Sequence, residues 1–266
     1  MTLAASHLSY RHSRNFSLAD ISIEFSTSVT ALIGPNGAGK STLVRCLANQ
    51  LNYRGSISYN GVHISSRDIV FWGRTVGFLP QNVRCESSLT VFEVVLLGLT
   101  ADLSLKITQK QIDAVEQALT ALELKSLAHR PLCKLSGGQQ QMVLLAQTLC
   151  KQPSVLLLDE PLNSLDIHKQ FTFLETLMRK ATAPLMQVII VLHDLQLAAR
   201  YADRVAVLAQ GRLHSYGPPR EVITEHMLFE VFGVDARVRP GVSGDPAIEF
   251  LGPALYSNAP CLSEFP

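Results

Sequence analysis

The sequence predicts an α/β fold in which a mostly parallel core sheet carries an N-terminal antiparallel β layer and an inserted α-helical subdomain. Three observations carry that prediction. The apolar run Val29-Thr30-Ala31-Leu32-Ile33 passes through a glycine-rich loop into a helical stretch that starts at Lys40. Two more short runs, Val155-Leu156-Leu157-Leu158 and Val188-Ile189-Ile190-Val191-Leu192, lack polar alternation, as parallel strands covered on both faces do. Between the first run and these two, residues 84–150 switch to helical spacing.

Taken in order, residues 3–10, 18–25 and 29–33 are short apolar segments separated by polar breaks. Ile21-Ser22-Ile23-Glu24-Phe25 alternates strictly, which predicts an antiparallel strand with one face in water. Tyr10 ends the first segment and could offer its ring to a base, although an aromatic at a strand end more often packs. The loop after the third strand, Gly34-Pro35-Asn36-Gly37-Ala38-Gly39-Lys40-Ser41, has the strand-before, helix-after context of a phosphate loop. Its glycines let successive N–H groups turn towards an anion, Lys40 would neutralise β- and γ-phosphates, and Ser41 would reach Mg²⁺.

Residues 53–60, followed by Gly61, predict a hairpin, and residues 75–79 a strand stopped by Pro80. Gln81 follows directly, where open α/β sheets place a ligand crevice; its position leaves a solvated loop residue equally open. Thr90 with Glu93, and Thr108 with Gln111, have capping-box spacing and open two helices. Leu135-Ser136-Gly137-Gly138-Gln139 then starts a third helix with a second anion-attracting turn, which by itself also reads as an ordinary cap. The run at residues 155–158 ends in Asp159-Glu160, two carboxylates at a core edge that need compensating charge. Asp159 suits a Mg²⁺-facing aspartate and Glu160 a general base. His193-Asp194 closes the run at residues 187–192, where an imidazole can meet a γ-phosphate or its water. Helices are expected over residues 167–180, 195–201 and 220–232, and a last core strand over 204–208. Residues 233–266 are rich in Pro and Gly, leaving the tail extended along the core or loose.

Composition removes several classes. The 47% hydrophobic content is on the apolar side, yet no run approaches the roughly eighteen residues of a membrane span. Lys+Arg 23 against Asp+Glu 22, with no basic block, makes nucleic acid an unexpected ligand. Five scattered cysteines without CxxC spacing predict reduced thiols, and no signal-like segment opens the chain.

The order and spacing of these features resemble the nucleotide-binding subunits of ABC transporters over roughly residues 1–238. Residues 34–41 match the Walker A loop, Gln81 the Q-loop, residues 135–139 the LSGGQ signature letter for letter, residues 155–160 Walker B, residues 164–166 the D-loop and His193 the H-loop. The resemblance implies a P-loop NTPase of the ABC-type cassette fold. Its core would comprise residues 1–83 and 151–232, its helical subdomain residues 84–150, and its tail residues 233–266. It implies ATP and Mg²⁺ as cofactors and a homodimer that sandwiches ATP. Nucleotide contacts would come from Tyr10, Gly34, Pro35, Asn36, Gly37, Ala38, Gly39, Lys40, Ser41 and Thr42 of one subunit and Ser136, Gly137, Gly138, Gln139 and Asp166 across the dimer. Ser41, Gln81 and Asp159 would serve the metal, and Glu160, His193 and Gln81 the hydrolysis. Integral-membrane permease subunits, and indirectly a substrate-binding protein, are the implied partners, with the chain peripheral on the cytoplasmic face of the cell membrane. Residues 90–98, Gln139-Gln140-Gln141 and residues 217–222 and 231–235 further resemble ATPases of importers for iron–siderophores, haem and cobalamin. Gln140 and Gln147 replace basic residues common in the family. An exporter ATPase and an ABC-type ATPase acting on nucleic acid or the ribosome remain the alternatives.

Overall fold

The computed structural model describes residues 1–13, 16–26, 28–65, 68–81, 87–99, 107–182, 186–242 and 244–254; Cys85, Cys261 and the end of the tail, residues 255–266, lie outside them. Two sheets organise the chain. Strands β1 (Leu3–Ser13), β2 (Phe16–Phe25), β4 (Arg54–Tyr59) and β5 (Val62–His63) form an antiparallel layer in the order β2-β1-β4-β5. The other has the order β10-β9-β3-β8-β7-β6, built from β3 (Val29–Ile33), β6 (Val76–Leu79), β7 (Val155–Leu158), β8 (Gln187–Val191), β9 (Arg204–Ala209) and β10 (Arg212–Gly217). Every pairing in it is parallel except that of the edge strand β10 with β9.

Side-chain alternation explains why the central strands are apolar but for Thr30 and Gln187. Ala31, Leu156, Leu158, Val188 and Ile190 face one core cluster, shared with the helical region. Leu32, Val155, Leu157, Ile189 and Val191 face another, shared with the antiparallel layer. Both sides of the sheet are therefore dry, and Gln187, one of the few polar residues there, turns its Nε2 to the Phe25 carbonyl. In β2 the opposite holds: Ile21, Ile23 and Phe25 are buried while Ser22 and Glu24 are exposed, as its alternation predicts.

Helix α1 (Lys40–Leu47) follows β3 through the glycine loop. A helix the sequence does not signal, α2 (Ile69–Thr75), precedes β6. Its β-branched and aromatic residues are poor helix formers, but tertiary contacts decide: Trp72 is 2% exposed, donates from Nε1 to the Leu47 carbonyl at 2.9 Å and meets Tyr59 edge-on. Helices α3 (Val91–Leu97), α4 (Gln109–Ala121) and α5 (Gly137–Cys150) each open on a reciprocal capping box, from Thr90 and Glu93, Thr108 and Gln111, and Ser136 and Gln139. Helices α6 (Ile167–Thr182) and α7 (Leu195–Tyr201) complete the layer around the sheet.

Two expectations need correction. The helix expected over residues 220–232 is broken into α8 (Pro219–Val222), α9 (Glu225–Met227) and a wide π turn, Leu228–Phe232, stopped by Gly233 at φ 66°. The tail is neither loose nor merely extended up to residue 253, because β11 (Val234–Pro240) and β12 (Pro246–Pro253) pair as an antiparallel hairpin. Gln196 of α7 donates from Nε2 to the Ile248 carbonyl at 3.1 Å, and Val238 and Ile248 pack on the main core. Among the described residues no helix is long and apolar enough to cross a membrane.

Candidate nucleotide site

The parallel strands present their carboxyl ends at one edge, and β3, β6, β7 and β8 each hand a polar residue to it: the glycine loop, Gln81, Asp159-Glu160 and His193. In the loop, Gly34, Gly37 and Gly39 hold φ of 147°, 79° and 102°. A Cβ at Gly34 would stand 2.1 Å from the Leu208 carbonyl oxygen, so no side chain fits there. Such a run of positive-φ residues is the backbone form that lets N–H groups converge on an anion. The loop is also tied from behind, since Gly211 in the β9–β10 turn donates its N–H to the Ala38 carbonyl at 3.1 Å and accepts from Ala19 of β2 at 2.9 Å.

Lys40 is 4% exposed and folds back over the loop, donating from Nζ to the Gly34 and Pro35 carbonyls at 2.7 and 3.0 Å. Burial lowers its pKa from the usual lysine range, and the negative charges of Glu160 and Asp159 oppose that shift. Pro35, Asn36 and Ala38 complete the loop, and Ser41 and Thr42 stand in the first turn of α1. Asp159 is fully buried; its Oδ1 accepts from Ser41 Oγ at 2.7 Å, while Oδ2 has no hydrogen-bond partner among the described residues. A hydroxyl beside a bare carboxylate oxygen suits Mg²⁺, which takes a few hard oxygens from protein and completes its shell with water and phosphate. Among the described residues no group of three His, Cys, Asp or Glu is placed to form an all-protein cage.

Desolvation raises the Asp159 pKa, helped by the Glu160 charge and opposed by the Ser41 hydrogen bond, Arg45 and Lys40. An acid whose folded pKa lies above its unfolded value binds more protons in the folded state. Its favourable contribution is then complete below the ordinary aspartate range and is lost as pH rises through the raised value. Asp159→Asn keeps an acceptor for Ser41 and removes that loss. The nucleotide-free variant is expected to be more stable than the native chain at pH 7 by roughly 1 kcal/mol, the scale of an uncompensated buried polar group. The gain should shrink towards pH 4. Urea denaturation at the two pH values measures it, and an equal or lower midpoint at pH 7 would contradict it.

Glu160 has φ 50°, a left-handed conformation that costs an L-residue on the order of 1–2 kcal/mol. Its carboxylate is gripped on both oxygens: Oε1 meets His193 Nε2 at 2.7 Å, and Oε2 accepts from Gln81 Nε2 and from Asn163 Nδ2, the latter at 2.6 Å. Only 10% of the Glu160 side chain is exposed, against 39% of His193. Gln81 is thus brought to Glu160. Asn163 is a site residue that sequence reasoning passed over as loop. The available signal was an amide three residues after a candidate base, with Pro161 turning the chain between them. Asp194 caps α7, accepting from the N–H groups of Gln196 and Leu197, and so fixes the backbone next to His193.

The remaining candidates sit elsewhere. Ser136 and Gly137 are exposed at the start of α5, with Gln139 bonded back to the Ser136 N–H at 3.0 Å. Gly138 is buried, and a Cβ there would stand 2.7 Å from the Ser164 carbonyl oxygen, so the turn packs directly on the loop that follows Glu160. Asp166 opens α6, accepting from the Lys169 N–H at 2.9 Å and pairing with the Lys169 ammonium at 2.8 Å. Those two hydrogen bonds hold its carboxyl below the usual range. Tyr10 is half-buried on β1, opposite Leu18 of β2, with its ring against the second core cluster.

Residues 18–163 match the model of the ABC transporter family. A hemin import ATP-binding protein of Chelativorans sp. (strain BNC1) is 38% identical over 232 residues, covering 85% of this chain and 87% of its own. A petrobactin import ATP-binding protein of Bacillus anthracis is 35% identical over 236 residues, covering 87% of each. Among solved structures, a metal-chelate type ABC transporter in an inward-facing conformation superposes with a TM-score of 0.80 at 25% identity, over 96% of this chain and 98% of that one.

Proposed function

Since this chain belongs to the ABC transporter family and is one of its ATPases, we propose that it powers a bacterial importer of metal chelates of the haem and siderophore type. The convergence of Lys40, Ser41, Asp159 and Glu160 at one sheet edge carries the ATPase chemistry. The import relatives, matched over most of the chain, support the direction and the cargo class. Bound Mg²⁺ would be held by Ser41 and Asp159 and would neutralise phosphate charge. Lys40 swings from its loop carbonyls to the β- and γ-phosphates, the loop N–H groups cradle the same oxygens, and Tyr10 supports the base. Glu160 takes a proton from water while the water oxygen bonds to the γ-phosphorus. The bond from that phosphorus to the β–γ bridging oxygen breaks, leaving ADP and phosphate. His193 steadies the Glu160 carboxylate and faces the γ-phosphate.

In the same reading two copies close head to tail, and Ser136, Gly137, Gly138 and Gln139 of one cover the nucleotide on the other, with Asp166 beside the seam. Charge on the γ-phosphate is then met from both sides, so nucleotide stabilises the closed pair. Residues 1–83 and 151–232 act as the catalytic core, and residues 84–150 as the lever against integral-membrane permease subunits. A substrate-binding protein supplies the cargo outside, which places this chain at the cytoplasmic face of the membrane. Deleting the gene should abolish growth on haem or ferric siderophore as sole iron source, with rescue by the native chain and none by Glu160→Gln. Unimpaired growth on both, or recovery of ribosomes or DNA instead of a multi-span protein on affinity purification from membranes, would overturn the reading.

A further inference from the structure

We propose that Gln140 and Gln170 are a matched pair of positioning residues, which hold ready the two turns by which one copy of this chain closes over the nucleotide of another. The inference rests on the head-to-tail reading of the closed pair. The segments Leu132 to Gln140 and Leu162 to Gln170 share one spacing: two leucines three residues apart, a polar residue directly after the second, and a glutamine four residues beyond that. They are also built alike. Leu135 donates its N–H to the Leu132 carbonyl at 3.1 Å, and Leu165 to the Leu162 carbonyl at 3.0 Å. The side chains of Ser136 and Asp166 each accept from the N–H three residues on, opening α5 and α6.

Each glutamine then reaches back from the first turn of its helix. Gln140 Nε2 donates to the Leu132 and Leu135 carbonyls at 3.1 and 3.3 Å, and Gln170 Nε2 to those of Leu162 and Leu165 at 3.3 and 3.2 Å. A side-chain amide has two N–H donors, and both go to the turn. The four leucines are buried, which anchors each turn from below, while Ser136, Gly137 and Asp166 stay exposed on its outer side. The two turns also meet: a Cβ at Gly138 would stand 2.7 Å from the Ser164 carbonyl oxygen and 3.2 Å from Leu165 Cδ2. Two clamped turns in contact make one stiff surface. A surface ordered before its partner arrives lowers the ordering cost of closure. Neither glutamine belongs to the glycine loop or to the strand ends that hold nucleotide within one copy.

The test uses the full chain with Mg²⁺-ATP in the Glu160→Gln background, to which Gln140→Met, Gln170→Met or Gln140→Arg is added. Methionine keeps the length of the side chain without a donor, and arginine keeps donors. Each Met substitution should raise the dimer dissociation constant, read by sedimentation, by roughly tenfold or more, as for the loss of two neutral hydrogen bonds. A fluorescent ATP analogue should bind the dilute, monomeric chain within about twofold of the Glu160→Gln parent, and Gln140→Arg should restore dimerisation to within about threefold. In the otherwise native chain the Met variants should lose turnover at low protein concentration and regain it at high, a dependence that a merely structural role would not produce. Equal dimerisation in all variants, no rescue by Gln140→Arg, loss of ATP affinity in step with dimerisation, or failure of both Met variants to fold overturns the matched pair and leaves the closed dimer standing. Absence of an ATP-dependent dimer in Glu160→Gln itself overturns the head-to-tail reading.

Discussion

Glu160→Gln is expected to bind ATP with near-native affinity and to lose turnover by about two to four orders of magnitude, the usual worth of a positioned general base. The substitution is nearly isosteric. The amide oxygen can still accept from Gln81 and Asn163, so the turn that holds them survives, but proton uptake is lost. With hydrolysis blocked, the nucleotide that joins two subunits persists, and light scattering on the ATP-loaded variant should report a dimer that the nucleotide-free variant lacks. Single-turnover hydrolysis at the native rate would remove Glu160 from the role of base. A monomer in the presence of ATP and the permease would remove the sandwich.

Lys40→Ala is expected to be the more damaging change for binding. Charge-assisted hydrogen bonds contribute about 1.5–3 kcal/mol each, so losing the ammonium should weaken ATP binding by roughly ten- to a hundredfold or more. Lys40 also bonds the Gly34 and Pro35 carbonyls, so a loss of affinity could come from a collapsed loop. Thermal denaturation separates the causes. At about a hundred times the native Kd, ATP should stabilise the native chain by about 2.7 kcal/mol and the variant by about 1.4 kcal/mol or less. The nucleotide-free midpoints of the two should lie close together. Native ATPase activity in Lys40→Ala would refute the assignment of the loop.

Local signals were enough for much of this. The alternation in β2, the apolar strands, and the capping boxes at Thr90 and Thr108 are each written within a few residues, and each is found where its spacing puts it. Helix α2 was illegible because its stability comes from one indole under the Leu47 carbonyl, a contact 25 residues away. The hairpin of β11 and β12 was hidden for a related reason. Its pairing joins Val234 to Pro253 across a Pro- and Gly-rich stretch, and its contact with α7, from Gln196 to Ile248, spans 52 residues. At the site, Ser41 could be picked from the glycine loop and Asp159 and Glu160 from their strand end, whereas the roles of Gln81 and His193 came from the family resemblance. That both Gln81 and Asn163 close on one oxygen of Glu160 is a property of three segments together, which no single window contains.

Gly211 donates its N–H to the Ala38 carbonyl and accepts at its own carbonyl from the Ala19 N–H. One residue thus ties the anion cradle to the neighbour of Leu18, the cross-strand mate of Tyr10. The β9–β10 turn is accordingly pinned to both sheets, so sliding one sheet against the other would break a hydrogen bond on one side of Gly211.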